Sequence, residues 1–150
     1  MEKKKLKRAR FIKSFKIICL LIFVCYSFGY SQQANPKKLI GNWNWIQSSG
    51  GFAGQIINPK TTGYDIQIEF TKNGLYKEGK DKKIDHQYKY RIKLGKTIYS
   101  QEPTDIIKYI SPSDSKEEII SDSFEFKGKD TLILKNECRD CFIKMYVRRK

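Results

Sequence analysis

Apolar and polar residues alternate with a period of two through most of the chain after residue 40. Tyr64, Ile66, Ile68 and Phe70 are interleaved with Asp65, Gln67, Glu69 and Thr71, and Tyr88, Tyr90, Ile92 and Leu94 with Gln87, Lys89, Arg91 and Lys93. Side chains on a strand point alternately to its two faces, so each segment predicts a strand with one dry and one wet face. Lys72-Asn73-Gly74 predicts a tight turn, because Asn and Gly accept positive φ, and residues 75–78 then return as a strand. Gly95-Lys96 is a second turn candidate, leading into residues 97–100. Residues 106–110, bounded by Pro103 and Pro112, read as a further strand. So do residues 119–126 before the turn Lys127-Gly128-Lys129-Asp130, then residues 131–135, and residues 141–149 at the end. Trp43 and Trp45 share one face of a first strand spanning about residues 40–48. No segment of this part has a helical period; residues 113–119 suit a short helical turn at most.

About eight strands, with turn signals every 8–12 residues, predict an all-β sandwich or barrel. An open sheet of this size would leave two exposed edges, which a closed meander removes. Short sequential connections favour up-and-down order. The expected fold is therefore an up-and-down antiparallel β-barrel of about eight strands, wide enough to be filled by side chains or to hold one small ligand.

The first thirty-one residues follow a different pattern. Eight basic residues, from Lys3 to Lys16, precede an apolar run over residues 17–28, and small residues follow at Ser27, Gly29 and Ser31. This order is that of a secretory signal peptide at residues 1–31, cleaved after Ser31 or, as the alternative, after Gly29. The apolar run is shorter than the roughly 20 residues of a spanning helix, so no membrane span is expected after processing. The mature domain is then residues 32–150, exported to the periplasm or the extracellular space.

Removing the leader changes the charge. It carries eight of the 30 basic and one of the 16 acidic residues, leaving 22 and 15, or +7, where the whole chain has +14. The signs are mixed throughout, so the one-sided basic stripe of a nucleic-acid binder is absent and no nucleic-acid partner is expected.

Cys19 and Cys25 leave with the leader, and Cys138 and Cys141 remain as an even pair in an oxidising compartment. A redox motif would set the first Cys at a helix N-terminus, but strands flank this one. Structural zinc wants four ligands, and the only histidine, His86, is distant in sequence. A disulfide across a turn is the simplest reading, since turn ends lie within disulfide reach. His86 itself follows Asp85 in a polar stretch and reads as a solvated turn histidine. There is no phosphate loop, nucleophile elbow or metalloprotease motif, so the expectation is a protein without enzymatic activity, metal or cofactor.

Leu39-Ile40-Gly41-Asn42-Trp43, Gly50-Gly51 and the ending Tyr146-Val147-Arg148 together resemble the small exported lipocalin-like proteins of Bacteroidetes-type bacteria. The resemblance implies structural roles for Gly41 and Trp43, with Trp43 laid across the closed end of the barrel and an arginine of the last strand against it. Arg148 fits by motif spacing and shares phase with Phe142 and Tyr146, whereas Arg149 shares phase with Ile143, Met145 and Val147. It also implies that the loop after the first strand covers the open end, so that Phe52, Ile56 and Ile57 form an apolar lid or simply pack over the mouth. The functional expectation is binding of a small apolar or amphipathic ligand in the barrel. The alternative is a filled barrel whose loops contact a cell-envelope protein. Cavity volume separates the two, with roughly 300 Å³ or more favouring a ligand.

Overall fold

The computed structural model describes residues 35–110 and 118–150. The leader expected at residues 1–31, with Cys19 and Cys25, lies outside the described residues, as do Pro112 and most of the helical turn expected over residues 113–119. The last two residues of that turn, Glu118 and Ile119, instead begin a strand.

Nine strands follow one another: β1 Gly41–Gly50, β2 Gln55–Ile57, β3 Ile66–Phe70, β4 Leu75–Lys80, β5 Lys83–Thr97, β6 Ser100–Ile110, β7 Glu118–Lys127, β8 Thr131–Asn136 and β9 Phe142–Arg148. Every pairing is antiparallel, and β3 to β9 pair in sequence order. β1 pairs with β3 on one side and β9 on the other, closing an eight-stranded barrel. β2 is the extra strand, paired with the second half of β1 on the side where β3 pairs with the first half.

The loop expected between residues 50 and 63 is therefore mostly ordered structure. After β2 comes α1, Pro59–Thr62, a single turn too short to show a period in the sequence. Asn58 caps it by accepting the N–H groups of Lys60 and Thr61, while its own N–H donates to the Thr61 hydroxyl. The turn expected at Gly95-Lys96 lies three residues later, at Ile98-Tyr99: β5 runs on to Thr97 through an irregularity between Gly95 and Thr97. Pro103 falls within β6 rather than at its edge.

The alternation expected for the wet and dry faces holds along β1, β3 and β4, whereas on β6, β7 and β8 residues of the opposite phase, Ile106, Ser123 and Ile133, are buried as well, and Leu94, expected on the dry face of β5, is exposed. Trp43, Trp45, Ile68, Phe70, Tyr76, Ile107, Tyr109, Phe124, Leu132, Leu134 and Tyr146 form the buried interior. In β1 a bulge between Trp45 and Gln47 makes Ile46 an extra residue. The bulge shifts the phase so that Ser48 also points inward, where its hydroxyl accepts the Trp45 indole N–H at 2.8 Å. Phe70, Tyr76, Tyr90 and Tyr109 pack as neighbouring rings, with centroids 4.8–5.1 Å apart and tilted or edge-on planes. Such geometry sets the positive ring edge against the negative face. The lower barrel is thus filled by its own side chains.

Candidate functional site

The two ends of the barrel differ. At one end the 3-10 turn Pro36–Leu39 leads into β1 and brings Leu39 into the core. The Trp43 indole N–H donates to the Leu39 carbonyl at 2.9 Å. The Arg148 guanidinium lies 4.0 Å from the centre of the Trp43 ring. It also donates to the Ile40 carbonyl at 3.1 Å and to the Lys38 carbonyl. Gly41 has φ +134°, and a Cβ there would stand 2.7 Å from Arg148 Nη1. Gly41, Trp43 and Arg148 are one arrangement: the glycine leaves the space through which the arginine reaches the indole face. Arg149 points elsewhere and donates to the Gln67 side chain at 3.3 Å on the surface.

The described residues leave the opposite end open. The turns β1–β2, β4–β5 and β8–β9 gather there. Cys138 and Cys141 sit in the last of these at disulfide distance, their Cα atoms 5.6 Å apart. Gly50 packs beneath them; a Cβ on it would meet the Cys141 carbonyl at 2.3 Å.

The lid expected from Phe52, Ile56 and Ile57 does not form over the mouth. Pairing of Ser48–Gly50 with Gln55–Ile57 uses up the loop and leaves a four-residue turn, closed by the Gly54 N–H on the Gly51 carbonyl at 3.0 Å. Such a turn extends the wall of the barrel and is too short to fold across its opening. Phe52 is 97% exposed and Ile56 61% exposed, while Ile57 packs on the core.

What occupies the mouth is a cavity of about 240 Å³ lined by Tyr76, Glu78, His86, Tyr88, Tyr109, Ile120, Asp122, Asn136 and Lys144. Each polar member stands at an inward position of its strand. Glu78 is in phase with Tyr76 on β4 and opposite His86 on β5. Asp122 is in phase with Phe124 on β7 and opposite Asn136 on β8. Lys144 is in phase with Tyr146 on β9. His86 is thus a strand residue on the cavity wall and not a turn residue. Its ring lies parallel to Tyr88, 6.1 Å away and within 10°, and Tyr88 is parallel to Tyr76 at 6.3 Å and 11°. Tyr109 stands edge-on to both tyrosines.

The hydrogen bonds of this cavity join acids to neutral donors. The Tyr76 hydroxyl donates to Glu78 Oε2. The Tyr109 hydroxyl donates to Asp122 Oδ2 at 2.9 Å, and the Asn136 amide to Asp122 Oδ1. Burial pushes the Asp122 carboxyl above the usual carboxylate range, an effect the Tyr109 hydrogen bond, the Lys144 charge and the Asn136 hydrogen bond partly oppose. Burial, reinforced by the nearby acids, also holds the phenols of Tyr76, Tyr109 and Tyr146 well above their ordinary value, so they remain protonated donors. The arrangement offers ring faces, carboxylate acceptors and one ammonium donor in a single recess. That combination suits a small molecule with both apolar and polar parts.

The polar members of the wall carry a signal in the sequence: a charged residue in phase with aromatics on an alternating strand, as Glu78, Asp122 and Lys144 all are. Among the described residues, no group of three or more His, Cys, Asp and Glu is placed to hold a metal, and no helix is long and apolar enough to cross a membrane. Comparison with protein-family models, with curated proteins and with solved structures gives no match for this chain.

Proposed function

We propose that this chain is an exported, lipocalin-like binding protein that takes a small amphipathic molecule in the mouth of its barrel, without catalysis. One observation carries the reading: polar and charged side chains point inward at one end of a barrel whose buried core is otherwise a cluster of apolar and aromatic side chains. Turning charges into a low-dielectric interior costs stability. At the closed end the charge of Arg148 is engaged by the Trp43 face and two backbone carbonyls, whereas the charges at the mouth close nothing, so their cost is best repaid by binding. At about 240 Å³ the cavity falls below the roughly 300 Å³ at which volume by itself favours a ligand, so the reading rests on the polar lining and not on size. It holds about eight waters' worth of liquid, enough for a compact molecule and not for a long acyl chain. The amphipathic form of the expected ligand is therefore favoured over the purely apolar one.

The second reading, a filled barrel that docks on a cell-envelope protein, draws support from exposed apolar residues on the turns at the same end. Phe52, Ile56 and Ile84 all lie there and are more than half exposed. Native mass spectrometry of the protein recovered from its own host distinguishes the two. The binding reading expects a small-molecule adduct that is lost from Ile120→Trp, a substitution that fills the cavity from a position 55% exposed and thus tolerant. The bare mass in both proteins, with a co-purifying protein instead, supports the docking reading.

A further inference from the structure

We propose that the molecule held in the mouth cavity is a small organic ammonium ion; this rests on reading the cavity as a ligand site. The first observation is a charge imbalance. The lining carries two carboxylates, Glu78 and Asp122, against one ammonium, Lys144, with His86 the remaining titratable group besides the phenols. The hydrogen-bond donors that reach the two acids are phenol hydroxyls and an amide, which bring no positive charge. The ion pairs Lys77–Glu69 and Lys135–Glu125 lie outside the cavity. With Lys144 offsetting one carboxylate, the lining keeps a formal negative charge, which attracts a counter-charge seated in the recess.

The second observation is independent of charge. The wall beside Glu78 is built of rings: His86, Tyr88 and Tyr76 present nearly parallel planes, and Tyr109 adds an edge. The face of an aromatic ring is negative, and cations, quaternary ammonium groups above all, are recognised by walls of such faces. The same protein places Arg148 over Trp43 and Lys80 3.8 Å from the centre of the Tyr64 ring, so stacking of cations on rings is a contact this fold already uses. A carboxylate ligand would face both Glu78 and Asp122, and a neutral one would leave the negative charge unmatched. An ammonium ion seated in the recess would set its carbon shell against this wall of rings and its charge toward Glu78.

The test is an NMR titration of the ¹⁵N-labelled protein at constant ionic strength with three small probes, one cationic, one neutral and one anionic: tetramethylammonium, neopentyl alcohol and acetate. Tetramethylammonium is expected to shift the resonances of Tyr88, Ile120 and Lys144, and to bind at least tenfold more tightly than the other two. Glu78→Gln, which keeps an acceptor for the Tyr76 hydroxyl, is expected to weaken that binding about tenfold, and Lys144→Met to strengthen it. If neopentyl alcohol or acetate binds in the cavity as well as tetramethylammonium does, the ammonium inference falls while the cavity remains a ligand site. If none of the three moves the cavity resonances, both fail. The comparison of probes on the unmodified protein decides the matter even where a variant does not fold.

Discussion

Trp43 and Asp122 mark the two ways a side chain can be committed inside this barrel. Trp43 is fully buried, bonded through its indole to Leu39 and covered by Arg148. Truncating it removes a large apolar volume that the rigid wall cannot refill, so Trp43→Ala should destabilise the fold by about 3–5 kcal/mol in a denaturant titration. Near wild-type stability would mean that the indole does not seal this end. Asp122 is the opposite case, an acid held in the interior at a cost. A carboxyl whose folded pKa is raised contributes stability that is present below its unfolded pKa and is lost as pH rises through the folded value. The stability of the wild type relative to Asp122→Asn should therefore improve as pH falls from 7 toward 4. A difference independent of pH would show that Asp122 is not desolvated as described. The sequence made Trp43 legible because a large aromatic at a dry position has few alternatives. It concealed Glu78, Asp122 and Lys144, because a charged residue is ordinarily assigned to the wet face. Their phase with Tyr76, Phe124 and Tyr146 was the available signal.

Among the elements, the hairpins differ in how openly their turns are written. The turns after β3 and β7 carry Gly74 and Gly128 at φ +75° and +71°, and both are readable as glycine turns. The β4–β5 turn is Asp81-Lys82, between paired Lys80 and Lys83, with φ +49° and +70° and no glycine. Its sequence signal is a polar stretch with Asp81 but no glycine; the turn is held by Asp65, whose N–H donates to the Asp81 carboxylate at 2.9 Å and whose carbonyl accepts the Asp81 N–H. A left-handed conformation costs a lysine roughly 1–2 kcal/mol, from which the greater flexibility of unfolded glycine subtracts up to about 1. Lys82→Gly should accordingly raise stability by about 0.5–1 kcal/mol, seen as a higher denaturant midpoint with an unchanged slope. A lower midpoint would mean that the lysine side chain contributes to the turn. β2 and α1 were not legible for another reason: three residues and four residues are too short for any period to appear.

For the whole molecule, closure followed from reasoning about edges, and the β1–β9 pairing supplies it. The cavity did not follow, because it depends on register between strands, and alternation within a strand does not contain register. Glu78 meets His86, and Asp122 meets Asn136, only once β4, β5, β7 and β8 are aligned. The result is a barrel with one sealed end and one end where rings and charges surround a small open recess. On the reading proposed above, this recess, and not the exposed rim of Phe52, Ile56 and Ile84, is where the protein meets its ligand. The most direct measurement is residue-resolved NMR mapping with a library of small amphipathic fragments. The account predicts that binders shift Tyr88, Ile120, Asp122 and Lys144 together, on β5, β7 and β9, and leave the β1–β2 turn unmoved. Shifts confined to Phe52, Ile56 and Ile84, or no binder at all at millimolar concentration, would contradict it.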